Sequence, residues 1–494
     1  MSETKTAPSG KGIETFENEL KTWLDYEKTA VKFIKFISEL YYDKGVETVI
    51  FRKPLIDQSA SEIINHHSYA RNVSQKPHLS IYDSLQIAEE LSRINLAPSR
   101  IDIGKLLVEW DNEKANFASL AGFIGDKLKD LTDVKNHGTA PKDVVLYGFG
   151  RIGRLLAREL VAQAGIGKQL RLRAIVVRGH KENDIYKRAD LLRNDSIHGH
   201  FAGTITEDPA NNALIINGHT VYLINADHPS EIDYTAYGIN NALIIDNTGV
   251  WRDREGLGEH LKSKGADKVL LTAPGKGEMP NIVYGVNQNE FDVDNEKIWS
   301  AASCTTNAIV PVIKVVEEKL GIESGHIETV HAYTNDQNLL DNYHKGSRRG
   351  RSAALNMVIT ETGAAKAVFK VFPDLKGRLT GNAVRVPTPD GSLAILILRL
   401  KNKTDKETIN NMMREEALFG TLVEQIEYAY SKELVSSDIV GNSCAVVFDS
   451  QATIVSEDGL TATLYAWYDN EYGYTRQVVR LAKHLAKVRR ATYY

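Results

Sequence analysis

Val144-Val145-Leu146-Tyr147-Gly148-Phe149-Gly150-Arg151-Ile152-Gly153 is the stretch whose reading decides the fold. Four apolar residues of strand character run into the spacing Gly-x-Gly-x-x-Gly, and residues 154–163 continue with the apolar pattern of an amphipathic helix. A strand that turns through such glycines into a helix is the context of a dinucleotide fingerprint. Gly148 permits the tight turn, Gly150 lets backbone approach a pyrophosphate, and Gly153 lets helix and strand pack closely. Arg151 and Ile152, between the second and third glycines, are counted with them as cofactor-binding residues. A bare glycine spacing is also compatible with a plain strand-to-helix turn; the flanking strand and helix favour the cofactor reading.

Outward from this stretch, apolar runs at 172–177, 242–245 and 269–271 alternate with helical patterns, which predicts a Rossmann-type α/β domain with a parallel sheet. Beyond residue 304 the strands lengthen, 392–400 and 462–468 being the strongest, and predict an α+β domain with an antiparallel sheet. Upstream, residues 12–131 are mostly helical. Leu20, Trp23, Leu24, Val31, Ile34, Ile37 and Leu40 recur at helical intervals and predict one helix over 14–42. A short strand at 48–51 and helices over 81–91, 101–110 and 117–131 follow, then a polar linker at 132–140 containing Gly138. The expected division is an N-terminal helical extension and linker at 1–140, a dinucleotide-binding domain at 141–303, a catalytic domain at 304–474, and a C-terminal helix at 475–494 that returns to the Rossmann domain.

The 494-residue chain carries a net charge of −4 with both signs spread along it, which offers no electrostatic footprint for nucleic acid or an anionic membrane. No stretch approaches the roughly 18 apolar residues of a membrane span, and residues 1–11 lack the apolar centre of a signal peptide. With only two cysteines no disulfide framework exists, and a reducing cytoplasm is the expected compartment. The adjacent His66 and His67 would point to different faces of a helix without a matching ligand set, so no metal site is expected.

A second informative stretch is Ser303-Cys304-Thr305-Thr306-Asn307, directly before the apolar run 308–313. It places a lone cysteine in the first turn of a helix, where unpaired backbone N–H groups and the helix dipole favour the thiolate. A candidate base, His331, lies in the strand-like stretch 327–333. Cys444, within an apolar run, reads as a small buried hydrophobe. The strand 172–177 ends not in an acid that would bond the ribose hydroxyls of NAD but in Arg178-Gly179-His180-Lys181, a basic cluster suited to the 2′-phosphate of NADP. Glu182 or Asp184 could also fold back to the ribose, so NAD stays open.

Taken in order, these segments resemble the phosphorylating glyceraldehyde-3-phosphate dehydrogenase family. Asn194-Asp195-Ser196-Ile197-His198-Gly199, Asn247-Thr248-Gly249-Val250, Thr362-Gly363-Ala364-Ala365-Lys366-Ala367, Arg385-Val386-Pro387 and Trp467-Tyr468-Asp469-Asn470-Glu471-Tyr472 continue the likeness over about 142–494. The resemblance implies Cys304 as nucleophile and His331 as its base. It implies Ser303, Thr305, Thr334, Arg348, Thr362, Gly363 and Arg385 around the substrate phosphate and attacking inorganic phosphate. It also implies Asn470 on the nicotinamide carboxamide, Thr248 and Thr272 along the cofactor groove, and a homotetramer. The activity implied is oxidation of D-glyceraldehyde 3-phosphate, in the gluconeogenic direction if NADPH is the donor. Erythrose-4-phosphate dehydrogenase is the rival within the class, and a regulatory or scaffolding protein built on this fold the rival outside it. Three departures stand out: Asn342-Tyr343 replaces a common Leu-Pro pair and points toward NADP, Asp227 replaces a frequent basic residue near the adenosine, and Ala308 replaces a second cysteine.

Overall fold

A computed structural model describes residues 10–132, 140–164, 169–179 and 184–494, which form two units, one of residues 1–138 with 490–494 and one of residues 139–489. Most of the expected linker, including Gly138, and His180, Lys181 and Glu182 lie outside the described residues.

In the larger unit the central sheet runs in the order Ile298–Ser300, Ala266–Leu271, Ala242–Asp246, Lys142–Tyr147, Leu170–Val177, His219–Asn225, Ala213–Ile216, Ile205–Asp208. The first six strands are parallel and the last two close an antiparallel hairpin. From Lys142–Tyr147 the chain steps outward to Leu170–Val177 and His219–Asn225, then returns to the other side at Ala242–Asp246. That reversal opens a crevice at the carboxyl ends of Lys142–Tyr147 and Ala242–Asp246, where ligands of open α/β sheets bind. The helix after the glycine turn spans Arg151–Ala162, so it starts inside the motif, three residues before the expected 154. Leu155, Leu156, Leu160 and Val161 are its buried face. The C-terminal helix, Tyr472–Leu485, packs Val478, Leu481, Ala482 and Leu485 into the same core, each worth about 1–3 kcal/mol of apolar burial. Between the two helices the buried Glu159 accepts from Tyr472 Oη at 3.1 Å and pairs with Arg476.

The second sheet of this unit runs Val358–Thr360, Leu379–Val386, Ile322–Ala332, Ser392–Leu400, Thr461–Tyr468, Val446–Asp449, Ile426–Ala429, with Ile454–Val455 paired to Thr461–Tyr468. It is mixed rather than wholly antiparallel: Ile322–Ala332 pairs in parallel with Leu379–Val386, and Ile426–Ala429 with Val446–Asp449. The first of these parallel ladders shapes the candidate site, because its register sets His331 opposite Arg385. The helix Cys304–Lys319 buries most of its residues, Thr305 to Ile313 without interruption, under this sheet.

The smaller unit is mostly helical: Gly10–Lys44, Ala60–Ser74, Ile81–Arg93, Ile103–Glu113 and Leu120–Lys127. The helix Ala60–Ser74 falls between the expected elements; its Ser59 and Glu62 form a capping box. The stretch expected as helix 101–110 begins instead with a strand, Ser99–Asp102, and becomes helical only at Ile103. Asp102 explains the break. Its buried carboxylate accepts from Phe51 N at 2.9 Å, Arg52 Nη1 at 2.7 Å and Lys105 N at 3.2 Å, capping the new helix while holding Phe51 and Arg52 at φ 42° and 69°. Residues 490–494, expected to continue the C-terminal helix, instead contribute Ala491–Tyr493 as the fourth strand of a small sheet, parallel to Ser99–Asp102. His67 is a core histidine, bonded to Ile63 O and Ser84 Oγ, and burial lowers it to about 4.

Candidate active site

The nucleophile candidate sits at a strained corner. The strand Ile298–Ser300 ends, Ala302 takes a left-handed φ of 55° that costs a non-glycine residue about 1 kcal/mol or more, and Cys304 begins the helix Cys304–Lys319. The turn is over-determined by its bonds. Ser303 Oγ accepts from Thr306 N at 3.0 Å, Asn307 Nδ2 donates to Ala301 O at 2.8 Å, and Tyr474 Oη donates to Ala302 O at 2.9 Å.

His331 arrives from the carboxyl end of Ile322–Ala332, with its Nε2 3.6 Å from Cys304 Sγ. Its Nδ1 has two neighbours, the Ala332 carbonyl at 2.7 Å and Arg385 Nη1 at 2.8 Å. Only one of these can be satisfied at a time. When Nδ1 donates to Ala332 O, the Nε2 lone pair faces the sulfur; when it accepts from Arg385, the ring proton sits on Nε2. The first tautomer can take the thiol proton, and Arg385 then turns to Ala332 O, 3.1 Å away. Burial and the Arg385 cation push the imidazole down to about 3. Burial also pushes the Cys304 thiol up, outweighing Arg385 and Thr305, which pull it down. Both shifts favour the uncharged forms of the pair, and the 3.6 Å contact is a direct path for the proton between sulfur and ring nitrogen.

Around this pair a cavity of about 460 Å³ is lined by Ser303, Cys304, His331, Thr334, Arg385, Asn470, Arg151, Ile152 and Thr272 among the residues singled out in the sequence. It thus joins the start of the glycine-turn helix to the thiol. Asn470, in this lining, accepts from Ser392 Oγ at 2.7 Å through its Oδ1. Thr305 stands behind the sulfur, Oγ1 3.9 Å from Sγ and 2.8 Å from Tyr468 Oη. Thr248 braces the crevice floor through Asp246, whose other oxygen meets His260. Thr362 and Gly363 stand outside the lining at the start of the helix Ala364–Val371, and Arg178 lies over the Trp251 ring, 5.7 Å from its centroid.

Arg348 is placed elsewhere than expected. Its Nη1 points to the Ile359 carbonyl at 3.4 Å, whereas its neighbour Arg349 pairs with Asp336, which also accepts from Thr334 of the cavity lining. The cause is the 3₁₀ turn Ser347–Gly350: successive side chains diverge by about 120°, so one arginine of the run can face inward and the next cannot.

A second cluster adjoining the cavity had no signal in the sequence beyond its family segments. Arg151 bridges Asp195 and Glu471, and His198 Nε2 lies 3.2 Å from Glu471 and 3.4 Å from Asp390. Burial would raise Asp195, but the amide of His198, Arg151 and the amide of Ile197 hold it at about 2. Asp390, 2 % exposed, is the opposite case: burial and its neighbours Asp469 and Glu471 push it up to about 9, so it stays a neutral acid. No spacing rule announces such a carboxyl; only the antiparallel register that sets Ser392 against Tyr468 brings it to Asp469.

The glycine turn fits a dinucleotide. Gly148 has φ 101°, a Cβ on Gly153 would stand 2.4 Å from Gly148 O, and a Cβ on Gly150 would meet nothing within 4 Å, so the space before the helix N-terminus is open to a ligand. Residues 142–254 match the family described as glyceraldehyde 3-phosphate dehydrogenase, NAD binding domain, and 303–470 match its C-terminal domain. The chain belongs to the glyceraldehyde-3-phosphate dehydrogenase family. Glyceraldehyde-3-phosphate dehydrogenase 2 of Bacillus subtilis is 41 % identical over 347 residues, 69 % of this chain and 96 % of its own. The chloroplastic form A of Zea mays is 41 % identical over 339 residues, 69 % of this chain and 81 % of its own. A glyceraldehyde-3-phosphate dehydrogenase-like protein of Pseudomonas aeruginosa is 52 % identical over 458 residues, 92 % of this chain and 98 % of its own, so the likeness there runs well into the residues before 142. As a family member the protein is an oxidoreductase that uses a nicotinamide dinucleotide, and no helix among its described residues is long and apolar enough to cross a membrane.

Proposed function

We propose that the protein oxidises D-glyceraldehyde 3-phosphate, with inorganic phosphate, to the acyl phosphate 1,3-bisphosphoglycerate, reversibly and through a covalent intermediate on Cys304. The observation that carries this reading is the Sγ–Nε2 contact of 3.6 Å in a cavity shared with the glycine-turn helix.

An aldehyde carbon cannot release hydride until it is tetrahedral and electron-rich, and a thiolate makes it so. Cys304 Sγ passes its proton to His331 Nε2 and adds to the carbonyl carbon; the imidazolium returns that proton to the carbonyl oxygen, giving a thiohemiacetal. His331 then takes the hydroxyl proton as hydride leaves, and the carbon becomes a thioester. A bound nicotinamide dinucleotide supplies the hydride acceptor, held by the Gly148–Gly153 turn, Thr248, Thr272 and Asn470. An oxygen of inorganic phosphate attacks the thioester carbonyl, the C–S bond breaks, and the acyl phosphate departs with Cys304 thiolate restored. Arg385, Arg349, Thr334, Ser303, Thr362 and Gly363 are the groups available for the two phosphates, with charge-assisted bonds from the arginines the strongest.

NADP is the preferred dinucleotide in this reading: Arg178 is the cation that ends the strand Leu170–Val177, where an acid would bond the ribose hydroxyls of NAD. The exposed apolar side chains Leu339, Leu340, Tyr343, Leu355 and Met357 support self-assembly, as a homotetramer by family likeness. Steady-state rates with D-glyceraldehyde 3-phosphate and erythrose 4-phosphate, each with and without phosphate, test the proposal. Faster turnover of the triose, dependent on phosphate, is expected; preference for the tetrose or indifference to phosphate refutes it.

A further inference from the structure

The helix Gly10–Lys44 is 35 residues long, about 52 Å, and the apolar side chains that it packs into a core among its described residues, Ala30, Phe33, Ile37 and Leu40, lie in its second half. Residues 15–25 are all exposed. Yet this solvent-facing segment is not polar: Phe16 is 65 % exposed, Leu20 45 %, Trp23 42 %, Leu24 44 %, and Val31 one step further on 59 %. At about 100° per residue these five fall within one arc of about 100°, the width of a helix stripe that packs on something. The core-facing residues lie on a different arc, so the stripe is turned away from the unit's own interior.

We propose that this stripe is a docking surface for the same stripe of a second copy of the chain, with the two helices antiparallel. The stripe is nearly symmetric about the midpoint between Trp23 and Leu24, so an antiparallel pair sets Phe16 level with Val31 and Trp23 level with Leu24, apolar against apolar at both ends and at the centre. Charge selects the direction. Glu17 and Lys28 lie on the same edge of the stripe, and neither has an ion-pair partner among the described residues of its own chain. In an antiparallel pair like edges meet, and Glu17 comes within about 3 Å, along the axis, of Lys28 of the second copy, twice over by symmetry. A parallel pair sets that edge against the opposite one and brings Glu17 toward Glu19 of the second copy. Glu27, the one charge on the stripe, is level with Leu20 of the second copy and has the adjacent Lys21 to meet. The stripe spans only about 22 Å, so this contact is small beside a standard interface and its association is reversible.

Position-specific cross-linking of the full chain under mild oxidation tests the proposal, with the linked peptides identified by mass. Leu24→Cys, next to the symmetry axis, is expected to give a covalent dimer through residue 24. Phe16→Cys is expected to give at least tenfold less, because two such positions are about 22 Å apart when the helices are antiparallel. Phe16 is the more exposed residue, so random collision would produce the reverse order. The double variant Phe16→Cys/Val31→Cys is expected to link 16 to 31. Glu17→Lys in the Leu24→Cys chain is expected to lower the cross-link at least threefold, and Glu17→Lys/Lys28→Glu to restore it. A 16-to-16 link, equal yields at 16 and 24, or failure of the charge swap to restore the link overturns the proposal.

Discussion

Asp390→Asn is expected to flatten the loss of stability that the protein suffers as pH rises. Asp390 is 2 % exposed, its Oδ1 accepts from Gly391 N at 2.8 Å, and burial with Asp469 and Glu471 nearby raises it from 3.8 to about 9. In the unfolded chain the group loses its proton near pH 4, whereas the folded chain keeps it to about pH 9. Between those values the folded state binds one more proton than the unfolded state, so stability falls with rising pH, by about 1.4 kcal/mol per pH unit from this group alone. Asparagine is a near-isostere that carries its own donor and does not titrate, so it keeps the contact to Asp469 and removes the slope. Urea midpoints and m-values at pH 6 and pH 8, at one protein concentration, give the comparison; titrating groups not in contact with Asp390 are common to both chains and cancel. The wild type is expected to lose about 3 kcal/mol more than the variant between the two pH values. Parallel pH profiles would refute the reasoning, because they would mean that Asp390 is ionised in the folded protein.

Arg349→Ala is expected to raise the KM for phosphate and aldehyde together by tenfold or more, through loss of the Asp336 pair beside Thr334, while Arg348→Ala changes either less than threefold; steady-state kinetics on both variants decide. Gly153→Ala drives a methyl to 2.4 Å from Gly148 O and is expected to lower the melting temperature, whereas Gly150→Ala meets nothing within 4 Å, keeps its melting temperature and loses dinucleotide affinity, read by fluorescence titration. Arg178→Asp is expected to lower the ratio of specificity constants for NADP over NAD by at least tenfold; an unchanged ratio removes Arg178 from cofactor choice.

Most of the larger unit was legible because its signals are local. A strand, three glycines and a helix within twenty residues identify the crevice, and the apolar run after Cys304 identifies the helix that presents it. What was not legible depends on register between distant strands. The pairing of His331 with Arg385 comes from a parallel ladder, and the burial of Asp390 from an antiparallel one. The choice of Arg349 over Arg348 depends on the phase of one 3₁₀ turn, which three clustered arginines conceal. In the smaller unit Ala491–Tyr493 finds its partner in Ser99–Asp102 across nearly the whole chain, and a three-residue strand carries no periodicity from which to read it. The helix Ala60–Ser74 was missed for another reason. Its apolar face is thin, Ile63, Ala70 and Val73 around a buried histidine, and the capping box of Ser59 and Glu62 was its clearest mark.

The central claim is that the sulfur of Cys304 carries the acyl group. Mixing the protein with D-glyceraldehyde 3-phosphate and oxidised dinucleotide, without phosphate, and mapping the adduct by mass spectrometry tests it most directly. The account predicts one phosphoglyceroyl group per chain on the peptide containing Cys304, formed with one reduced dinucleotide and released when phosphate is added. Reduced dinucleotide formed with no adduct at Cys304, or undiminished oxidation by Cys304→Ser, would contradict it.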